Sequence, residues 1–155
     1  MQNGKETRVK ALSTSELWAR LIKSATLERY LSDAEDIPEL PPFAEYISGL
    51  AVQKGERAET ILKRGAIESS FGHRLFSGAR KPSRDTVIQL AFGFMLDADE
   101  TQTLLKVARM TALHPRVKRD AVIAFCLQHH KSFMDAQELL YENKMPLIGG
   151  KRSGA

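Results

Sequence analysis

Apolar residues recur at helical spacing in one segment of this chain after another. The clearest stripe follows the i, i+3, i+4, i+7, i+8 pattern of a helix that buries one face: Phe43, Tyr46, Ile47, Leu50 and Ala51. A second stripe comprises Val87, Ile88, Ala91, Phe94 and Met95. This periodicity predicts an all-α fold.

Residues at helix ends support the same prediction. Ser13 with Glu16, and Asp97 with Glu100, have the spacing of a capping box, so a helix is expected to begin at each pair. Gly55 predicts the end of the helix that carries the first stripe. A further short helix is expected over residues 26–33, and the acidic, proline-bearing residues 33–42 are typical of a linker.

Two short helices with a tight connection are predicted in the middle of the chain. The first covers residues 57–64, and the second covers residues 68–77 and stops at Gly78. Only a short turn at Gly65 and Ala66 separates them, so the pair is a helix-turn-helix candidate.

Positive charge is concentrated around this pair of helices. The whole chain carries a net charge of only +4, yet residues 54–84 combine eight basic residues with three glutamates. The basic residues are Lys54, Arg57, Lys63, Arg64, Arg74, Arg80, Lys81 and Arg84. A local positive field of this kind favours an anionic partner such as nucleic acid.

Other features narrow the functional class. The single cysteine, Cys126, lies in an apolar run, which excludes an internal disulfide and a cysteine-based zinc cluster and indicates a reducing compartment. The polar residues 1–10 do not resemble a signal peptide, and no window has the roughly 18 apolar residues of a membrane span, so we expect a cytoplasmic protein without a membrane partner. His129 and His130 are adjacent, whereas two helical metal ligands are spaced i, i+4. We predict no catalytic, metal or cofactor site, and no enzyme activity.

The segment 59–83 resembles the Cro/C1-type (XRE) helix-turn-helix family of bacterial transcriptional regulators, most clearly in the run LFSGARKPS, residues 75–83. A longer pattern, in residues 82–93, 100–102 and 118–121, is similar to a subfamily with added C-terminal helices. The resemblance implies a five-helix domain whose second short helix enters the major groove of double-stranded DNA. It further implies a sequence-specific regulator that binds an operator as a homodimer.

The resemblance also assigns roles to individual residues. The residues expected to face bases are Ser69, Ser70, His73 and Arg74. Those expected to contact the DNA backbone are Ser77, Arg80, Lys81 and Arg84. Arg74 is the strongest candidate for base recognition, because a guanidinium can bond guanine O6 and N7 together.

Two departures from the family pattern lie in the same helices. Gly72 stands where family members bury an aliphatic residue, so we expect Phe71 to anchor the helix in a stripe with Ile67 and Leu75. The first helix lacks the usual small polar cap and has Glu56 and Arg57 there instead.

A weak internal repeat appears at an offset of 35 residues. It aligns residues 84–88 with residues 119–123, and Gln102, Leu104 and Leu105 with Gln137, Leu139 and Leu140. Chance in a leucine-rich helical protein and a genuine repeat both remain open. A genuine repeat predicts two similar helix hairpins that pack side by side.

These observations divide the chain into four parts. Residues 1–42 form an N-terminal helical appendage and linker, residues 43–112 the DNA-binding domain, residues 113–148 a C-terminal helical hairpin and residues 149–155 a disordered basic tail. The hairpin is expected to hold a dimer through surplus apolar residues, namely Phe133, Met134, Met145, Leu147 and Ile148. The alternative function is a helical adaptor or antitoxin-like protein that binds another protein.

Overall fold

Over residues 13–33 and 39–150, the part of the chain that the computed structural model describes, the protein consists of nine α-helices and no strand. The helices are α1 (Thr14–Lys23), α2 (Leu27–Asp33), α3 (Phe43–Lys54), α4 (Ala58–Arg64), α5 (Ser69–Ser77), α6 (Arg84–Gly93), α7 (Ala98–Val107), α8 (Lys118–Gln128) and α9 (Phe133–Glu142). The predicted all-α class is confirmed. The chain forms two compact units, Met1–Leu40 and Pro41–Ala155.

The first unit contains α1 and α2. The predicted capping box begins α1, since the Ser13 hydroxyl accepts from the Glu16 N–H at 3.1 Å and the Glu16 carboxylate accepts from the Ser13 N–H at 2.7 Å. Neither helix contains a buried residue, and Trp18 and Ile22 on the apolar face of α1 are exposed. Within the predicted linker, residues 34–38 lie outside the described part of the chain.

Helices of the second unit end in a recurrent local geometry. At the end of α3, Gly55 is left-handed, with φ of 65°, and the Glu56 N–H donates to the Ala51 carbonyl. This paired closure satisfies carbonyls that the last helical turn leaves free. The predicted helix end at Gly55 is therefore confirmed, and the same closure with a non-glycine residue ends α4, α6, α7, α8 and α9.

One continuous core joins the helices of the second unit. Ile47 of α3, Leu75 of α5, Leu105 of α7 and Leu140 of α9 are all fully buried in it. Residues 113–148 therefore share a core with residues 43–112 and do not form a separate layer. Phe133 and Ile148 belong to this core, so the predicted surplus of apolar residues for a dimer is wrong for these two.

The 35-residue repeat is present in the structure. Arg84 of α6 binds Asp120 of α8, with Nη2 to Oδ2 at 2.9 Å, and the aligned Arg119 of α8 binds Asp85 of α6 at 3.0 Å. Each arginine also donates to two carbonyls 27 and 28 residues further along the chain. Because these contacts are reciprocal, an approximate two-fold axis relates the α6–α7 hairpin to the α8–α9 hairpin.

The segments that follow the two hairpins obey the same symmetry. Gln102 of α7 exchanges two hydrogen bonds with the backbone of Leu113, each 2.8 Å long. The aligned Gln137 of α9 does the same with Ile148, at 2.9 and 2.8 Å. Gly149 donates its N–H to Asp85 at 2.8 Å, which corrects the predicted start of a disordered tail at this residue. Residues 151–155 lie outside the described part of the chain.

Candidate nucleic-acid interface

The connection between α4 and α5 occupies four residues and ends in a closely packed helix. Ile67 and Leu75 are buried, as the predicted stripe requires, but Phe71 is only half-buried. Gly72 is the buried residue in the middle of α5, and a Cβ there would overlap the Leu62 side chain of α4. The close approach of α5 to α4 at Gly72 therefore holds α5 in place. This corrects the prediction that Phe71 is the anchor of the helix.

The start of α5 is capped by a residue whose role the sequence reasoning missed. The Glu68 carboxylate accepts hydrogen bonds from the N–H groups of Ser70, at 3.1 Å, and Phe71, at 2.7 Å. A carboxylate at this end is stabilised by the positive pole of the helix dipole. The usual preference for short cap residues such as serine and aspartate hid this signal, because glutamate reaches the same N–H groups only with its longer side chain.

The four residues predicted to face bases lie together on one exposed face of α5. Ser69, Ser70, His73 and Arg74 occupy positions i, i+1, i+4 and i+5, and each is exposed. His73 Nε2 lies 4.0 Å from the Glu59 carboxylate of α4, an ion pair only when the imidazole is protonated. The face thus presents two hydroxyls, one imidazole and one guanidinium to the solvent.

The residues after α5 fold back towards Arg74. Gly78 is left-handed with φ of 85°, and the Arg80 N–H donates to the Arg74 carbonyl at 3.1 Å. The Ser77 hydroxyl donates to the same carbonyl at 3.2 Å. Lys81 follows and is exposed, like Ser77 and Arg80. Over residues 13–33 and 39–150, no carboxylate forms an ion pair with Arg74, Arg80 or Lys81.

Arg84 does not join this group, although the sequence analysis placed it there. Its guanidinium donates to both carboxylate oxygens of Asp120 and to the carbonyls of Thr111 and Ala112, at 2.9 to 3.1 Å. Four of its five N–H groups are thereby used inside the protein. We therefore remove Arg84 from the predicted backbone-contacting residues.

Arg64 is a second basic residue that the fold uses internally. Its guanidinium binds the Glu56 carboxylate, with Nη1 to Oε1 at 3.2 Å, and donates to the Gly93 carbonyl at 2.6 Å. The hydrogen bond from Arg64 holds the pKa of Glu56 below its ordinary value. The basic residues left exposed around α4 and α5 are Lys54, Arg57, Lys63, Arg74, Arg80 and Lys81.

In comparisons with known proteins, no family model, no curated protein and no solved structure matches the chain. The longest helix in the described residues, α3, has 12 residues, so none of these helices has the length and apolar character needed to cross a membrane.

Proposed function

We propose that the protein is a sequence-specific regulator that binds double-stranded DNA through α4 and α5, in the manner of the Cro/C1-type helix-turn-helix family. The observation that carries the proposal is the exposed face of α5, bounded at its end by Arg80 and Lys81. No carboxylate within residues 13–33 and 39–150 forms an ion pair with these two residues or with Arg74. The proposal also assigns α3 to α7 to the five-helix domain of that family, because α3, α6 and α7 flank α4 and α5 in chain order.

Groove dimensions and side-chain chemistry support this assignment. The major groove is about 12 Å wide, which admits one α-helix, and its base edges distinguish all four base pairs. Arg74 can donate two parallel hydrogen bonds to a guanine, and Ser69 and Ser70 at the first turn of α5 can bond either donors or acceptors. Arg80 and Lys81 would contact phosphates and position the helix without specifying sequence.

The carboxylates near α5 are compatible with an anionic ligand in different ways. Glu68 accepts two backbone N–H groups of its own helix, so part of its charge is compensated locally. Glu59 is exposed beside His73, and it would gain an attractive partner when that imidazole is protonated. We therefore expect affinity to come mainly from the end of α5, where Arg74, Arg80 and Lys81 lie.

Selection from a pool of random duplexes tests the proposal directly. The full chain is incubated with the pool at moderate salt, and bound fragments are recovered and sequenced through several rounds. We expect one recurrent motif that includes a guanine. Binding that enriches no motif, or no binding at all by the folded protein, would contradict a sequence-specific regulator.

The first unit favours a second candidate function, that of an adaptor for another protein. Four large apolar side chains of α1 and α2 are more than half exposed: Trp18, Ile22, Leu27 and Leu31. Exposed apolar clusters of this kind often mark protein-binding surfaces. If selection enriches no DNA motif, proteins that bind the full chain are identified next. Their binding is then compared with that of a variant in which Ile22 and Leu31 are replaced by glutamate. Loss of binding in the variant would mean that these side chains hold the partner.

A further inference from the structure

The outer face of α8 in the second unit carries a large exposed apolar side chain, Phe125. Ala121 and Ala124 are half-buried, while Phe125, Gln128 and His129 are exposed. The Phe125 ring is 51% accessible and stacks on the His129 ring, with centroids 4.2 Å apart. A groove of about 390 Å³ lies between this face and α7 and continues onto the loop between α7 and α8.

The repeat shows what the equivalent face of α6 contacts. The positions of α6 aligned with Ala124, Phe125 and Gln128 are Gln89, Leu90 and Gly93. Leu90 is fully buried, and a Cβ on Gly93 would overlap the Ile61 carbonyl of α4. The Gln89 amide donates to the Gly65 carbonyl at the end of α4, at 3.2 Å. The two-fold equivalent of the open α8 face is thus covered by a helix.

The chemistry of the open groove points away from a charged partner. Ten residues line it, and none of them is Asp, Glu, Lys or Arg, although these residues make up 27% of the chain. A two-fold interface between identical chains sets a patch against itself, so charges of one sign would repel there. A patch without Asp, Glu, Lys or Arg meets this requirement.

We infer that the α8 face pairs with the α8 face of a second copy of this chain. In this dimer the Phe125 rings of the two copies pack beside each other's Ala121 and Ala124, whose small side chains allow two helices to approach closely. Phe125 is then the central aromatic anchor of the interface. In this dimer the open face of α8 is covered by a helix, as the equivalent face of α6 is covered by α4.

The inference extends the proposed function, on which its biological purpose rests. One recognition helix reads only a few base pairs, and a two-fold dimer doubles the length of DNA that is read. The dimer itself requires no DNA, so it can be tested separately.

Sedimentation equilibrium of the full chain without DNA, at about 1 to 100 micromolar, measures the self-association. We expect a dimer for the natural sequence and a dissociation constant raised at least about thirtyfold by Phe125→Glu, the effect of losing a central aromatic anchor and burying a charge. Tyr141→Glu is the matched control, because Tyr141 is also an exposed aromatic residue, lies on α9 and does not line the groove. Circular dichroism confirms that both variants are folded.

Each outcome has a distinct meaning. A natural chain that is monomeric at 100 micromolar, or a dimer that Phe125→Glu leaves intact, overturns the inference. A dimer that is lost only when Trp18 and Ile22 of α1 are replaced by glutamate overturns it as well, because α1 would then be the contact. A dimer through α8 that enriches no DNA motif keeps the inference and rejects the proposed function, whereas DNA binding by a monomer does the opposite.

Discussion

The α6–α7 hairpin and the α8–α9 hairpin share an internal hydrogen-bond network but differ in what lies against their outer faces. Arg84 and Arg119 make equivalent bonds, and so do Gln102 and Gln137. On the outside, however, α6 is covered by α4 while α8 carries an exposed Phe125. Residues that make the shared hydrogen bonds of the repeat are therefore alike, and aligned residues that meet different neighbours differ.

The difference extends to the two arginine–aspartate pairs. Asp120 is buried and accepts three hydrogen bonds, two from Arg84 and one from the His114 N–H at 3.0 Å. Asp85 accepts equivalent bonds from Arg119 and the Gly149 N–H, but it is more exposed. The aspartate of the repeated pair is thus buried in one copy and partly exposed in the other.

Removal of the buried carboxylate should have the largest effect. We expect Asp120→Ala to lower the free energy of unfolding by about 3–5 kcal/mol, because it leaves the Arg84 guanidinium and the His114 N–H without their partner. Asp85→Ala should cost less, because Asp85 is 29% exposed against 5% for Asp120, so water can enter the space that its carboxylate leaves. Urea unfolding of both variants measures the contrast, and equal losses would show that the two pairs are energetically alike.

For the covered and open faces we predict stability losses of different size when the aligned residues are changed to alanine. Gly93→Ala places a Cβ against the Ile61 carbonyl, and we expect a loss of about 1–3 kcal/mol from the strain of moving α4. Gln128→Ala, at the aligned position of α8, should cost less, about 0.5–1.5 kcal/mol, because it removes only the exposed 3.2 Å hydrogen bond from the Ala98 N–H and moves no helix. A Gly93→Ala variant as stable as the natural chain would mean that α4 is loosely packed on α6.

A comparison within the proposed DNA-binding surface concerns Arg74. Arg74→Ala should cost about 1–3 kcal/mol on the selected site and relax preference at one base pair, with little loss on random DNA. Titration of labelled duplexes measures both affinities. Lys106→Ala is the control, since Lys106 is an exposed basic residue on α7. Equal losses on specific and random DNA would place Arg74 on the phosphates instead.

Lys81 should behave differently from Arg74. Loss of a phosphate contact weakens specific and random DNA alike and reduces the slope of log affinity against log salt by about one unit per half-site. Titrations at several salt concentrations give this slope for Lys81→Ala and for the natural chain. If both slopes are the same, Lys81 makes no phosphate contact.

The smallest predicted effect concerns pH. Burial raises the pKa of Asp85, but the hydrogen bonds from Arg119 and the Gly149 N–H outweigh it and hold the pKa below its ordinary value. A carboxyl with a lowered folded-state pKa stabilises the protein above its unfolded pKa of about 3.9, and this stabilisation is lost as pH falls through the folded value. The stability difference between the natural chain and Asp85→Asn should therefore shrink in acid. A difference that is constant from pH 7 to pH 2 would contradict this prediction.

Much of the local structure followed from the sequence because its causes are local. The capping boxes at Ser13 and Asp97 and the stop at Gly55 each depend on residues within a single helical turn. The outward face of α5 was also predictable, since exposure of Ser69, Ser70, His73 and Arg74 follows from the opposite positions of Ile67 and Leu75.

Features that depend on distant residues were decided only by the tertiary structure. Arg84 looked like a DNA contact until its partner, 36 residues away, was seen to be Asp120. Phe133 and Ile148 looked like surplus apolar surface, but both enter the shared core. Gly72 looked like a departure from the family pattern until Leu62 was seen to occupy the space where its Cβ would lie. Periodicity and capping report the neighbours of a residue along one helix, whereas its partners across helices depend on how the whole chain packs.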